Sequence, residues 1–378
     1  MGATTRALAS QVHPVFMLPP LAASVFGAVL AGEFLLAPAA AHLAAMFFAV
    51  YTAHVKDGYV DYYGRGEDDS HPMTAPGCRV ALAGATAGFA AALTAVYLLA
   101  GPVAALVTLP TWFIGFLHAP QFDTNPVTAT VGYPTGIGLC IVGGFAAQTG
   151  TVAVTPLAFA AVFLLVLSGI KVVDDATDYE YDRSIDKRTV AVVLGRRGAR
   201  RFAYGLIYAG FIAVLWLTVD GVFPPSAPAG ILVFGVVAAV AGRAEPELAT
   251  KLLIRGAYLF LAVLVAAVWF RPLAGVPLPD VGVLGPYTYL ATEVVFGSAA
   301  LAVLVRRGAL RAAAYTVFAL YPIAYLWDWY TLEVGVFDVA LATGIELFGI
   351  PLEEHLFMVV VPAVVLAVRE LVLPVLDE

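Results

Sequence analysis

Three short stretches of this chain place carboxylates where they could do chemistry. In 53–61, AHVKDGYVD, Asp57 and Asp61 stand at i and i+4, and His54 lies at i−3 on the same helical face. In 171–195, KVVDDATDYEYDRSIDKRTVAVVLG, Asp175, Asp178 and Asp182 stand at i, i+3 and i+7, while Asp174 and Glu180 fall on other faces. Carboxylates sharing one face repel one another unless something positive sits between them. Oxygen-rich sites suit Mg²⁺, which keeps several waters and bridges one or two carboxylates to substrate phosphates. Lys187 and Arg188 follow as direct partners for a diphosphate, and Arg65, in the turn Gly64-Arg65-Gly66, is a further candidate contact. Glu67, Asp68 and Asp69 read as solvated loop residues. The third stretch is Glu353-Glu354, at the head of an apolar helix. Acids there are costly unless used or paired. Burial would let one remain protonated as an acid while its partner stays ionised. The competing reading is a helix cap favoured by the dipole. Glu293 and Glu346 read as hydrogen-bonded structural acids, and His13 and His118 as interfacial.

The first two clusters together point to a reaction class. Carboxylates facing one cavity can hold Mg²⁺ and a diphosphate, so that an allylic C–O bond ionises. An apolar cavity would shield the resulting cation from water. The acceptor would be a lipid-soluble molecule with a nucleophilic carbon.

The elements that must position these groups are membrane helices. Of 378 residues, 61% are hydrophobic and 12% charged, and the mean hydropathy is +0.89. Average globular proteins carry about 25% charged residues. A soluble fold, a disordered chain, a coiled coil and a nucleic-acid-binding domain are all excluded. A crossing helix needs roughly 20 apolar residues. Residues 7–32, 34–55, 80–122 and 124–170 carry no Asp, Glu, Lys or Arg. The second pair of stretches breaks at Gly101-Pro102 and near Gly150. Further spans fall at 202–219, 221–242 and 253–270, nine in all. The fold class is all-α and polytopic. The two cysteines, Cys78 and Cys140, form no disulfide framework.

Eight of the 20 lysines and arginines cluster between Lys171 and Arg201, which marks that loop as cytoplasmic. Counting back places the 56–79 loop on the same side, so both acidic helix ends meet the inner face of a cell membrane. The Pro- and Gly-rich run 271–286 reads as a linker. Beyond it come spans near 287–305 and 312–327, a mixed segment at 328–352, and an apolar helix at 354–375. The expected domains are 1–275 and 276–378.

These motifs carry two resemblances. The first nine spans resemble the UbiA superfamily of intramembrane prenyltransferases. The second family motif, D-x-x-D-x-x-x-D with a K-R-T-hydrophobic-L-G tail, is matched by Asp175, Asp178, Asp182, Lys187-Arg188-Thr189 and Leu194-Gly195. The first motif, N-D-x-x-D-x-x-x-D, is matched at Asp57 and Asp61, with Ala53 and His54 replacing Asn and Asp. The C-terminal module resembles a lycopene cyclase domain of the heterodimeric type, through Trp327-Asp328, Gly344-Ile345 and Pro351-Leu352-Glu353-Glu354-His355-Leu356-Phe357. The resemblances imply a nine-helix prenyltransferase bundle followed by about three cyclase helices. They imply Mg²⁺ held by His54, Asp57, Asp61, Asp175, Asp178 and Asp182, with dimethylallyl diphosphate on Lys187, Arg188 and Arg65. Asp178, Glu353 and Glu354 would be catalytic. The implied acceptor is lycopene or a related carotene, an elongase reaction, with a quinone, a chlorophyll-type alcohol or a glycerol lipid as alternatives. One cyclase repeat, where such cyclases use two, implies a second subunit or a homo-oligomer. A prenyltransferase-like scaffold serving only the cyclase half is the remaining alternative.

Overall fold

Capping residues and glycines set where the helices of this computed structural model begin and end. It describes residues 3–185, 187–276 and 280–377. The helices are α1 (Ala3–Ala9), α2 (Pro14–Leu30), α3 (Leu36–Tyr59), α4 (Ala75–Ala100), α5 (Pro102–Leu117), α6 (Pro126–Thr149), α7 (Val154–Thr177), α8 (Tyr179–Ser184), α9 (Val190–Val219), α10 (Pro228–Ala241), α11 (Pro246–Phe270), α12 (Thr288–Arg307), α13 (Leu310–Glu333) and α14 (Leu352–Asp377). Thr74, Asn125 and Thr189 cap α4, α6 and α9 by accepting from the backbone N–H of Gly77, Val127 and Val192. Gly101 and Gly150, at φ 88° and 70°, make the two breaks expected from the sequence.

The chain divides into two compact units, Met1–Ala274 and Gly275–Glu378. Among the described residues, seven helical segments are long and apolar enough to cross a membrane, and α2, α5 and α10 are shorter apolar helices. Six of the seven and the three shorter ones lie in the first unit, which accounts for the nine expected spans. Small residues let these helices approach closely. A Cβ on Gly144 of α6 would run into the backbone of Ser24 of α2, and one on Gly27 would run into the backbone of Ile141. Buried His42 ties the same region together through a 2.6 Å bond between Nδ1 and the Ser24 hydroxyl.

In the second unit, α12 and α13 both pack against α14. A two-residue hairpin, β1 (Glu346–Leu347) and β2 (Ile350–Pro351), leads into α14. Two expectations change here. Asp328 lies inside α13, not in a mixed segment, because the helix runs on to Glu333. Glu346 is exposed on the hairpin, not buried as a structural acid. Within the expected linker, residues 277–279 lie outside the described residues.

Candidate active site

The first acidic stretch does not continue as a plain α-helix. After Tyr59 the backbone widens into a π-helical turn over Val60–Arg65, closed by left-handed Gly66 at φ 66°. Such turns insert a residue and re-aim side chains. Here Asp57 stays on α3 while Asp61 and Arg65 sit on the widened turn. Arg65 bridges three carboxylates: Asp61 at 3.5 Å, Glu67 at 3.6 Å and Asp123 at 2.9 Å. Glu67 is therefore a half-buried partner of Arg65 and not a solvated loop residue, whereas Asp68 and Asp69 are exposed as expected.

The second stretch also breaks its expected register. α7 ends at Thr177, Asp178 adopts φ −94° and ψ 14°, and α8 restarts at Tyr179. Asp175, Asp178 and Asp182 therefore do not share one continuous face. Asp178 is exposed at the break, while Asp175 and Asp182 are 5% and 4% exposed. Asp174, placed by the spacing on another face, lines the interior cavity together with Lys171. Lys171 Nζ donates to Asp175 at 2.6 Å and to Asp174 at 3.4 Å. The other Asp175 oxygen, Oδ2, is buried without a hydrogen-bond partner. Glu180 is exposed and pairs with Arg196 at 3.9 Å.

The two stretches face each other electrostatically. Lys187 lies 3.8 Å from Asp182, and its charge also acts on Asp57 and Asp61. Asp123, in the loop before α6, acts on both Asp57 and Asp175. Its carbonyl accepts the Arg188 backbone N–H at 3.0 Å, while the Arg188 side chain is exposed. Burial raises Asp182 from the ordinary carboxylate range to about 6; Lys187 opposes that rise and Asp175 adds to it.

Two cavities of about 220 Å³ each open beside these groups. One is lined by His54, Asp57 and His118, the other by Lys171, Asp174 and His118. They share Phe16, His118, Tyr133 and Ile137, so one apolar cleft joins the two acidic stretches. A third space of about 820 Å³, almost wholly apolar, shares Pro19, Tyr258 and Leu261 with the second and runs between α2 and α11. His54 Nδ1 donates to the Gln11 carbonyl at 3.1 Å, which leaves Nε2 as the free ring nitrogen.

Among the described residues, no three His, Cys, Asp or Glu side chains already converge as a metal cage. The donors nevertheless fit Mg²⁺. The unpartnered Asp175 oxygen and the acids around Lys187 are hard oxygen ligands, and Mg²⁺ is ordinarily completed by water and substrate phosphates.

Several members of this site escaped the sequence reading: Asp123, Lys171, Asp174, His118 and Tyr133. A signal for Asp123 existed, since it is the one charged residue between 80 and 170.

The architecture defines a polytopic intramembrane bundle with an acidic mouth on an apolar cleft, and comparison places that bundle. The model of the UbiA prenyltransferase family matches residues 77–264, and the first unit has the UbiA fold. A structure of digeranylgeranylglyceryl phosphate synthase aligns at TM-score 0.56 and 14% identity, over 66% of this chain and 93% of that one. A UbiA homologue from Aeropyrum pernix K1 aligns at 0.56 and 17% identity, over 69% and 99%. A UbiA homologue from Archaeoglobus fulgidus bound to DMAPP and Mg²⁺ aligns at 0.53 and 17% identity, over 71% and 99%. No curated protein matches the chain.

Proposed function

We propose that the first unit is an Mg²⁺-dependent intramembrane prenyltransferase that moves a dimethylallyl group from its diphosphate to the end of lycopene or a related carotene. The observation that carries this reading is the joined cleft: Asp57 of the first acidic stretch and Asp174 of the second line one apolar space, with Lys187 beside Asp182 and its charge acting on Asp57 and Asp61. The Archaeoglobus homologue bound to DMAPP and Mg²⁺ supports the same substrate class.

In this mechanism the residues divide the work. Asp57, Asp61, Asp175 and Asp182 would hold the cation, with exposed Asp178 and cavity-lining Asp174 at the edge of the site. Bound Mg²⁺ would screen the diphosphate charge and make it a better leaving group. Lys187, Arg188 and Arg65 would take the negative charge that develops as the allylic C–O bond breaks. The apolar walls, Phe16 and Ile137 among them, keep water from the allylic cation. An alkene carbon of the acceptor then forms the new C–C bond. The free Nε2 of His54, in the same cavity, would accept the proton released from the product. The apolar groove between α2 and α11 suits entry of a lipid-soluble acceptor from the bilayer.

The second unit is read as a carotenoid cyclase half, with Glu353 and Glu354 at its reactive end, completed by a second subunit or a second copy of this chain. The protein would lie in the cell membrane with its diphosphate site on the cytoplasmic side. Expression in a lycopene-producing host, with mass analysis of the pigments, tests the whole reading. Carotenoids longer by one or two five-carbon units support it, and unaltered lycopene beside a working control elongase contradicts it. The likeness to digeranylgeranylglyceryl phosphate synthase favours a second reading, a glycerol-lipid acceptor. In that case the prenylated product is a lipid and the pigments are unchanged.

A further inference from the structure

The two arms of the joined cleft end differently. The arm lined by His54 and Asp57 runs away from the acidic mouth between α2, α3, α5 and α6. On α3 its lining passes from Asp57 to Met46, roughly 16 Å along the axis at the helical rise per residue. There it stops. Met46 and Cys140 are 1% and 3% exposed, and the Cys140 thiol donates to Met46 Sδ at 3.2 Å across the end of the arm.

The layer behind that contact is filled. His42, one turn before Met46 on α3, is wholly buried. It is bonded to Ser24 and lies against Gly143, where a Cβ would strike its Nε2. Beyond Cys140, α2 and α6 meet backbone to backbone at Gly27 with Ile141 and at Gly144 with Ser24. On the flank, a Cβ on Gly115 of α5 would run into the Ala49 carbonyl of α3. Helices packed this closely have no slack with which to lengthen the arm. The arm lined by Lys171 and Asp174 has no such wall, and passes Tyr258 and Leu261 into the groove between α2 and α11.

Volume then decides what each arm can hold. An apolar cavity of about 150 Å³ holds benzene, so on the same scale the closed arm, at about 220 Å³, has room for about nine carbon atoms. A five-carbon dimethylallyl group fits. A geranyl group, twice that length, exceeds the space, and a carotene or a glycerol lipid exceeds it several times over. The mouth of the closed arm carries Asp57, so a diphosphate held by the acidic stretches would direct its hydrocarbon tail down this arm.

We infer that the closed arm seats the hydrocarbon group of the donor, that Met46 and Cys140 limit that group to five carbons, and that the open arm is left to the acceptor. The inference rests on the reading of the first unit as a prenyltransferase. Met46 is the adjustable part of the wall, since an unbranched thioether fills whatever gap the neighbouring helices leave.

Isothermal titration of the full-length protein in detergent, with Mg²⁺ and non-hydrolysable dimethylallyl, geranyl and geranylgeranyl diphosphate analogues, tests the wall. In the wild type the two longer analogues should bind about 10-fold or more weakly than the dimethylallyl one, the scale of forcing extra methylenes into a packed space. Met46→Ala should recover most of that loss for the geranyl analogue and leave the geranylgeranyl analogue weak. Cys140→Ala opens the same wall and serves if Met46→Ala fails to fold. Leu261→Ala, in the open arm, should leave the preference unchanged. Equal affinities for all three analogues in the wild type overturn the inference and leave the prenyltransferase reading standing. So does a preference that moves in Leu261→Ala, or one that moves in neither Met46→Ala nor Cys140→Ala. Failure of every prenyl diphosphate to bind retires the prenyltransferase reading, and this inference with it.

Discussion

Arg65 on the π-helical turn and Asp123 in the loop before α6 meet at 2.9 Å, although 58 positions separate them in the chain. The pair joins the first acidic stretch to a loop whose backbone also receives Arg188 from the second. Asp123 thereby holds Arg65 at the mouth of the cleft. Asp123→Asn removes a charge-assisted bond while conserving shape. A bond of that kind contributes about 1.5–3 kcal/mol. KM for the prenyl diphosphate should rise about 10-fold with a smaller change in kcat. Steady-state kinetics on the purified variant decide this, and an unchanged KM would remove Arg65 from substrate binding.

Removing Asp61 or Asp182 should slow prenyl transfer sharply. Asp61→Asn and Asp182→Asn should each lower kcat/KM about 100-fold or more, the usual scale for losing a group that stabilises developing charge. Asp178→Asn should cost less, because Asp178 is exposed at the break between α7 and α8. Equal losses at Asp178 and Asp182 would show that the side chains rearrange when substrate binds.

Acidification should weaken cation binding. Asp182 gains its proton near pH 6, since burial holds it above the ordinary range. Protonation removes a negative charge from the site, so Mg²⁺ affinity should be full at about pH 7.5 and fall as the pH drops through about 6. The metal-free fold responds in the opposite sense. Its Asp182 holds a proton more tightly than the unfolded chain does, so this group adds stability as the pH falls from about 6 towards about 4. Calorimetric Mg²⁺ titrations at about pH 5 and about pH 7.5 check the first statement. The same affinity at both would remove Asp182 from the cation site.

The bundle itself should be sensitive where helices touch through glycine. Gly144→Ala drives a methyl group into the backbone of Ser24. Overpacking of that kind costs about 1–3 kcal/mol. A lower unfolding midpoint in detergent is expected, whereas Gly84→Ala, with open space around it, should leave the midpoint unchanged.

The fold was legible because a bilayer allows few solutions. Charge-free runs located the helices, and Gly101 and Gly150 broke them at the expected places. The identity of Asp57, Asp61 and Asp182 as candidates was legible for a related reason, since acids at apolar helix ends stand out. Their geometry was not. An ideal 3.6-residue repeat cannot foresee the π-helical turn at Val60–Arg65 or the break at Asp178, and both moved side chains off the expected face. Asp174 and Lys171 lie on regular α7 before the break, and their place on the cleft depends on how α7 packs against α2, α6 and α11. The role of Asp123 depends on a contact across 58 positions, which no local spacing reveals. Glu353 and Glu354 read as a matched pair in the sequence, and only the surrounding elements separate Glu353, bound to Thr343, from Glu354, bound to Tyr289.

The central claim is that both acidic stretches grip a single magnesium-bound diphosphate. Isothermal titration of the full-length protein with a non-hydrolysable dimethylallyl diphosphate analogue, with and without Mg²⁺, measures this directly. Binding should require Mg²⁺ and should be lost in both Asp61→Asn and Asp182→Asn. Undiminished Mg²⁺-dependent binding in either variant would contradict a shared site.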